Sequence, residues 1–287
     1  MSDHVPLQLD HRRRRWRRTN LLVGAALVAT VVATALLSFV WTPHDPTAIS
    51  GADALLPSWS PGHPLGTDAF GRDVLSQLMV GARSALFVGV LAVSIAVVIG
   101  VPLGGFAATR RGWIEDAVMR FADVIYAFPA VLGAILLVAA LEPGIGPAMI
   151  AIGVAYVPIV ARVTRGASLS VLELDFVTAA RSYGRSPAYI FVRHVLPNIA
   201  SVLIVQATVL FALAILAEAA LSFLGIGTQP PDPSWGRSLR DAQTLVRIAP
   251  GLALWPGAAI ALTVLGFNLL GDGLRDALDP RLEVDRS

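Results

Sequence analysis

Hydrophobic and polar residues fall in long blocks along this chain. Six apolar runs stand out, over residues 20–41, 84–108, 121–141, 145–161, 199–223 and 250–270. A helix needs about 20 mostly apolar residues to cross the hydrocarbon core of a bilayer, and about 17 is the lower limit. Each run meets that limit. A single segment buried in lipid must satisfy its own backbone hydrogen bonds, which a helix does. The pattern predicts an all-α, polytopic membrane protein with six transmembrane helices. Its parts are a polar stretch 1–19, a first span 20–41, a polar segment 42–83, a five-helix core 84–271 and a charged tail 272–287. Ahead of the second run, Val74, Leu75, Leu78, Met79, Ala82 and Leu86 make an amphipathic stripe leading into the membrane.

The core contains one long polar interval, the loop at 164–198. Within it, Leu172, Phe176, Ala179, Ala180 and Tyr183 are spaced to share one helix face. Gly184 supplies a left-handed residue to end that helix. Ser186 followed by Pro187 reads as an N-cap with proline at the first helical position, so a second short helix begins at once. It is expected to stop before Pro197, because the residue preceding a proline avoids helical dihedrals. Asn198 is then the expected N-cap of the fifth span. A bent helix pair between two spans is either a solvated connector or a docking element for a soluble partner.

Composition narrows the class. The chain has 287 residues, 55% hydrophobic and 15% charged, with a mean hydropathy of +0.68. There is no cysteine, which excludes disulfides, thiolate metal sites and cysteine nucleophiles. All 22 basic residues are arginine, so no P-loop lysine or Schiff-base lysine exists in the chain. Seventeen arginines lie on the side of the termini: six in the first segment, then Arg110, Arg111, Arg120, five in the central loop region and three in the tail. The other five are Arg72, Arg83, Arg237, Arg240 and Arg247. Arginine-rich short loops stay in the cytoplasm, so both termini and the 164–198 loop are expected inside, and 42–83 outside. The arginine block at residues 12–18 fixes orientation and touches anionic lipid. Ala33-Thr34-Ala35 offers a signal-peptidase alternative for the first run, but the apolar stretch continues to Val40.

Charges inside spans need a reason. Asp123 stands near the start of the third span, where an ion pair with Arg120 accounts for it. Glu218 stands near the outer end of the fifth, where contact with the outer water layer accounts for it. Arg120, Asp123, Glu218 and Asn268 are alternatively candidates for a translocation path or a seam between subunits. Pro129 removes a helix hydrogen bond and is expected to kink the third span. His4, His11, His44, His63 and His194 show no metal-binding spacing, so no metal site is expected. No nucleophile–base–orienter trio is visible, and tethering between spans argues against a DNA-binding helix-turn-helix.

Three strings carry a resemblance. Ala179-Ala180, Gly184, Ile190, His194 and Leu196-Pro197 resemble the cytoplasmic coupling loop of ABC-importer permeases, with Thr178 where that motif has glutamate. His63-Pro64-Leu65-Gly66-Thr67-Asp68, with Gly71, Arg72 and Asp73, resembles the outer-loop signature of the dipeptide, oligopeptide and nickel importer permeases. Phe267-Asn268-Leu269-Leu270-Gly271-Asp272-Gly273-Leu274-Arg275-Asp276, with Pro233-Ser234-Trp235-Gly236, resembles the closing segments of the same subunits. The resemblance covers residues 20–281 and favours the shorter, second permease of a heterodimer.

It implies a type I ABC-importer permease fold in a bacterial cytoplasmic membrane, importing di- or oligopeptides, or alternatively nickel or another small solute. It implies a homologous permease, two ATPase subunits and an extracytoplasmic solute-binding protein as partners, with no nucleic acid. No cofactor is expected on this chain, and no enzymatic site; ATP and Mg belong to the partner subunits. The coupling contact is expected from Phe176, Thr178, Ala179, Ala180, Tyr183, Gly184, Ile190, His194 and Pro197. An ion-coupled secondary transporter is the competing class, and it requires a proton or sodium relay at the midplane.

Overall fold

The structure, a computed structural model, describes residues 8–140 and 144–278. The tail from Asp279, including Pro280 and Arg281, lies outside the described residues. Most of the described residues lie in ten α-helices: α1 Gln8–Leu37, α2 Val74–Arg110, α3 Trp113–Ala127, α4 Ala130–Ala140, α5 Ile145–Leu172, α6 Asp175–Ser182, α7 Pro187–Ile190, α8 Leu196–Leu224, α9 Trp235–Ala242 and α10 Gly251–Leu278. Five helical rods among them are long and apolar enough to cross a membrane, and α3 with α4 makes a sixth if the bent pair is one span.

The centre of the molecule is the pairing of α2 with α5, flanked by α8; α1 lies along α10. The α2–α5 approach is close because α2 turns small residues inward. Ala92, Ala96, Gly100, Gly104, Ala107 and Ala108 are all buried. A Cβ at Gly100 would sit 2.7 Å from Val160 Cβ and 2.9 Å from the Val157 carbonyl. At Gly153 of α5 it would sit 2.8 Å from Ile95. In lipid there is no hydrophobic drive between helices, so packing of this kind supplies the association energy.

Several boundaries differ from the sequence expectations. The stripe from Val74 is not separate from the second span: α2 runs unbroken for 37 residues. The polar stretch before the first span is helical from Gln8, and that helix ends at Leu37 rather than Trp41. At Pro129 the third span does not kink but breaks. Phe128 is extended at φ −81°, ψ 122°, as a residue before proline prefers, and the two halves meet at 83°. The fourth span continues to Leu172, carrying Arg162 and Arg165 in helix rather than loop.

The largest difference concerns Pro197. The second short helix does not stop there. A π-helical turn, Phe191–Val195, joins α7 to α8, giving one rod from Pro187 to Leu224. The wider turn absorbs the proline, whose missing N–H and ring would otherwise disrupt a regular helix. Asn198 is therefore no N-cap; its Nδ2 donates to the His194 carbonyl at 2.6 Å, within the rod.

Candidate functional site

The 164–198 loop folds as a bend with a buried underside and an exposed crown. Its turn is built as the local sequence requires. Gly184 has φ +73°. Its N–H donates to the Arg181 carbonyl at 2.9 Å, and the Arg185 N–H donates to the Ala180 carbonyl at 3.3 Å. This double closure of a helix C-terminus needs a left-handed residue at that point. Ser186 then caps α7, its hydroxyl accepting from the Tyr189 N–H at 3.3 Å.

Leu172, Phe176, Ala179, Ala180 and Tyr183 do not share one helix face. Helix α5 ends at Leu172 and α6 restarts at Asp175, so helical phase is lost between them. The residue that goes inward is Val177, 0% exposed, together with Ile190 and Val195; they form a small core with Ala108, Leu172 and Ile199. Ala180 packs partly against it. Phe176 (43% exposed) and Tyr183 (85%) point outward, with Thr178, Ala179 and Pro197 also exposed. His194 is half-buried between two rings, its centroid 6.1 Å from that of Phe176 and 5.9 Å from that of Tyr189. Arg185 lies over the Tyr189 ring at 4.9 Å. The result is an aromatic surface with arginines at its edge, held firm from below. An exposed apolar cluster rimmed by polar groups marks an interaction site.

At the opposite end of α2, the 42–73 segment closes on the helix N-terminus. Each polar residue of the outer motif has a structural use. Asp68 accepts from the Phe70 and Arg72 N–H groups at 2.8 and 3.0 Å, from Arg72 Nε at 2.6 Å and from Gln77 Nε2 at 2.8 Å. Thr67 donates through its hydroxyl to the Asp53 carbonyl and accepts from the Leu56 N–H at 2.9 Å. Asp73 caps α2, accepting from the Ser76 N–H at 2.8 Å and the Ser76 hydroxyl at 2.7 Å. Gly66 and Gly71 have φ +80° and +75°. Both also lie directly against backbone, of Leu56 and Ser50 respectively. Between this loop, α9 and α10 is a cavity of about 330 Å3, with Asp68, Arg72, Gln77, Asp241, Thr244 and Leu245 among its lining residues. Aspartate 45, at the solvent edge of the same segment, is held below the usual carboxylate range by the Thr47 hydroxyl and N–H.

The four path-or-seam candidates do not gather. Asp123 pairs with Arg162 of α5 at 2.7 Å, not with Arg120. The packing of α3 on α5 brings Arg162 over, and Arg162 also lies 4.3 Å from the Tyr126 ring centre. A second pair, Glu115 with Arg165 Nε at 2.5 Å, ties the same two helices. Arg120 is exposed on α3 and Asn268 exposed on α10. Glu218 faces no water: it is 2% exposed. Ser222 donates to it at 2.7 Å and Thr228 at 3.3 Å. The 228–236 segment folds over it, anchored by Trp235, whose Nε1 donates to the Leu78 carbonyl at 3.0 Å. Its role here is to pin that segment to α8. Sequence spacing also missed a convergence: His44, His63 and Asp73 come together, with candidate ligand atoms all within 4.8 Å.

Comparison with known proteins agrees with this geometry. Residues 100–284 match the family described as binding-protein-dependent transport system inner membrane component. The glutathione transport system permease protein GsiD of Pectobacterium atrosepticum is 40% identical over 271 residues, spanning 94% of this chain and 90% of that one. GsiD of Escherichia coli O6:K15:H31 is 42% identical over 271 residues, spanning 94% and 89%. Among solved structures, an inward-facing form of the MetNI methionine ABC transporter superposes with a TM-score of 0.59 at 18% identity, covering 71% of this chain and 96% of that one; at that identity the likeness is one of fold. This chain belongs to the binding-protein-dependent inner membrane components, as a multi-pass permease subunit of a bacterial ABC importer of the peptide and glutathione type.

Proposed function

We propose that this chain forms half of the translocation path of a heterodimeric importer for short peptides, with glutathione-like tripeptides as the first cargo to test. In this reading the crown of α6 and α7 seats on a cytoplasmic ATPase subunit. The 42–73 loop faces an extracytoplasmic solute-binding protein, and a homologous permease completes the path. ATP and Mg are bound by two ATPase subunits, and both termini lie in the cytoplasm. The arginine distribution supports that orientation.

The observation that carries the reading is the pairing of Val177, fully buried, with Phe176 on the same short helix and Tyr183 at its C-terminal cap, both exposed. A connector that only bridged two spans would not need aromatic side chains on its aqueous crown. ATP closes the ATPase pair, and the crown passes that motion to the helices as a rigid-body shift.

The test uses the assembled complex in proteoliposomes. Tyr183→Asp is expected to leave the chain inserted and assembled but to lower ATP-driven uptake of labelled glutathione and dipeptides at least tenfold, while basal ATP hydrolysis persists. Normal uptake with Tyr183→Asp would remove the crown from the coupling path. Uptake by the permeases alone under a proton gradient, without an ATPase, would establish the secondary-transporter class instead.

A further inference from the structure

We infer that His44, His63 and Asp73 form a binding site for a divalent transition-metal ion at the outer end of α2. The three residues come from separate parts of the outer segment, and the fold gathers them. The two imidazole rings stack, with centroids 4.4 Å apart and planes at 27°. Both present Nδ1 to the same oxygen of Asp73, at 3.0 Å from His63 and 3.9 Å from His44. Ligands around a tetrahedral zinc with bonds of about 2.0–2.1 Å lie roughly 3.3 Å apart. The two separations from the Asp73 oxygen bracket that value, all three ligand atoms lie within 4.8 Å of one another, and His44, whose side chain is 43% exposed, can turn to close the difference.

The chemistry of the cluster points the same way. A lone His–Asp pair is commonly a hydrogen bond, and His63 with Asp73 alone would read so. The second histidine changes this. Two imidazoles converging on one carboxylate oxygen are a ligand set that zinc takes. The carboxylate is fully buried, and its other oxygen is already fixed by the Ser76 N–H and hydroxyl. The same Ser76 hydroxyl accepts from the His44 backbone N–H at 3.0 Å, so one side chain orients two of the three ligands. Such outer support is what ordered metal sites have. Three protein ligands leave one position to solvent or to a group from outside. A bound ion would clamp the start of the 42–73 segment and its 60–66 turn to the N-terminus of α2.

The experiment uses the full chain within its assembled complex in nanodiscs, purified without a polyhistidine tag. Zn2+ is titrated calorimetrically, and Co2+ is followed by its visible absorption, which is intense for tetrahedral sites. One Zn2+ per chain is expected, with a tetrahedral Co2+ spectrum displaced by Zn2+. His63→Gln and His44→Gln are each expected to weaken binding at least tenfold, since loss of a mere supporting partner costs about 10–100-fold. His194→Gln, on the opposite side of the membrane in the proposed topology, is expected to leave it unchanged. Absence of stoichiometric binding in the native chain would overturn the assignment and leave a simple His63–Asp73 hydrogen bond. Binding that survives both His44→Gln and His63→Gln would place the ion elsewhere and overturn it equally. Should a variant misassemble, Zn2+-dependent protection of amides 42–73 from exchange in the native chain reads the same point.

Discussion

Asp68 shows how much one side chain holds in the 42–73 loop. Its carboxylate takes four donors, two from backbone N–H groups and two from Arg72 and Gln77. Asp68→Ala strands those groups, and hydrogen bonds to charged groups contribute about 1.5–3 kcal/mol each. Partial exposure reduces that, so a local loss of about 2 kcal/mol is expected. Amide exchange across 66–73 should then rise roughly tenfold or more, since about 1.4 kcal/mol is a factor of ten. Gly71→Ala is expected to be worse, because φ is +75° and Ser50 backbone occupies the space of any Cβ.

At this scale the sequence was legible where the cause was local. Gly184 after an apolar-spaced helix, and Ser186 before Pro187, behave as their neighbours dictate. It was misleading where phase or partner came from a distance. Leu172 packs inward while Phe176 turns outward and Val177 goes in, because α5 ends at Leu172, Glu173 and Leu174 intervene, and a new helix starts at Asp175. Glu218 finds its partners in Ser222, one turn on, and in Thr228, brought over by a folded-back segment. No spacing rule joins His44 to His63 and Asp73.

Among elements, the α2–α5 seam is the most demanding. Gly100→Leu places a branched side chain where Val160 Cβ already stands 2.7 Å from any added Cβ. Overpacking of a fitted interior costs typically about 1–3 kcal/mol, and more when backbone must move. The thermal midpoint of the detergent-solubilised chain should fall by several degrees. Gly133→Leu on α4 is the control: nothing lies within 4 Å of a Cβ there, so no comparable fall is expected. The glycine and alanine spacing on α2 is visible in sequence, but it names no partner; only the folded chain shows that α5 fills it. Pro129 likewise announces a disturbance without its size, and 83° is far more than a proline kink requires.

For the whole molecule, the composition offers a direct test of orientation. With no native cysteine, single substitutions report cleanly. Thr47→Cys, exposed in the outer segment, and Tyr183→Cys, on the crown, should react with a membrane-impermeant maleimide from opposite sides. In intact spheroplasts the first labels at once and the second only after permeabilisation. Labelling of both from outside would invert the orientation drawn from arginine placement.

The unbroken helix from Pro187 to Leu224 has one further consequence. It begins at Pro187, two residues before Tyr189, and ends at Leu224, two residues past Ser222, which donates to the buried carboxylate of Glu218. Thirty-eight residues at about 1.5 Å each make a strut of roughly 57 Å. No flexible joint interrupts it, only one widened turn that a proline has made necessary. A displacement applied at its Pro187 end is carried along the rod to Leu224, so the bend at α6 and α7 and the surroundings of Glu218 are mechanically one part.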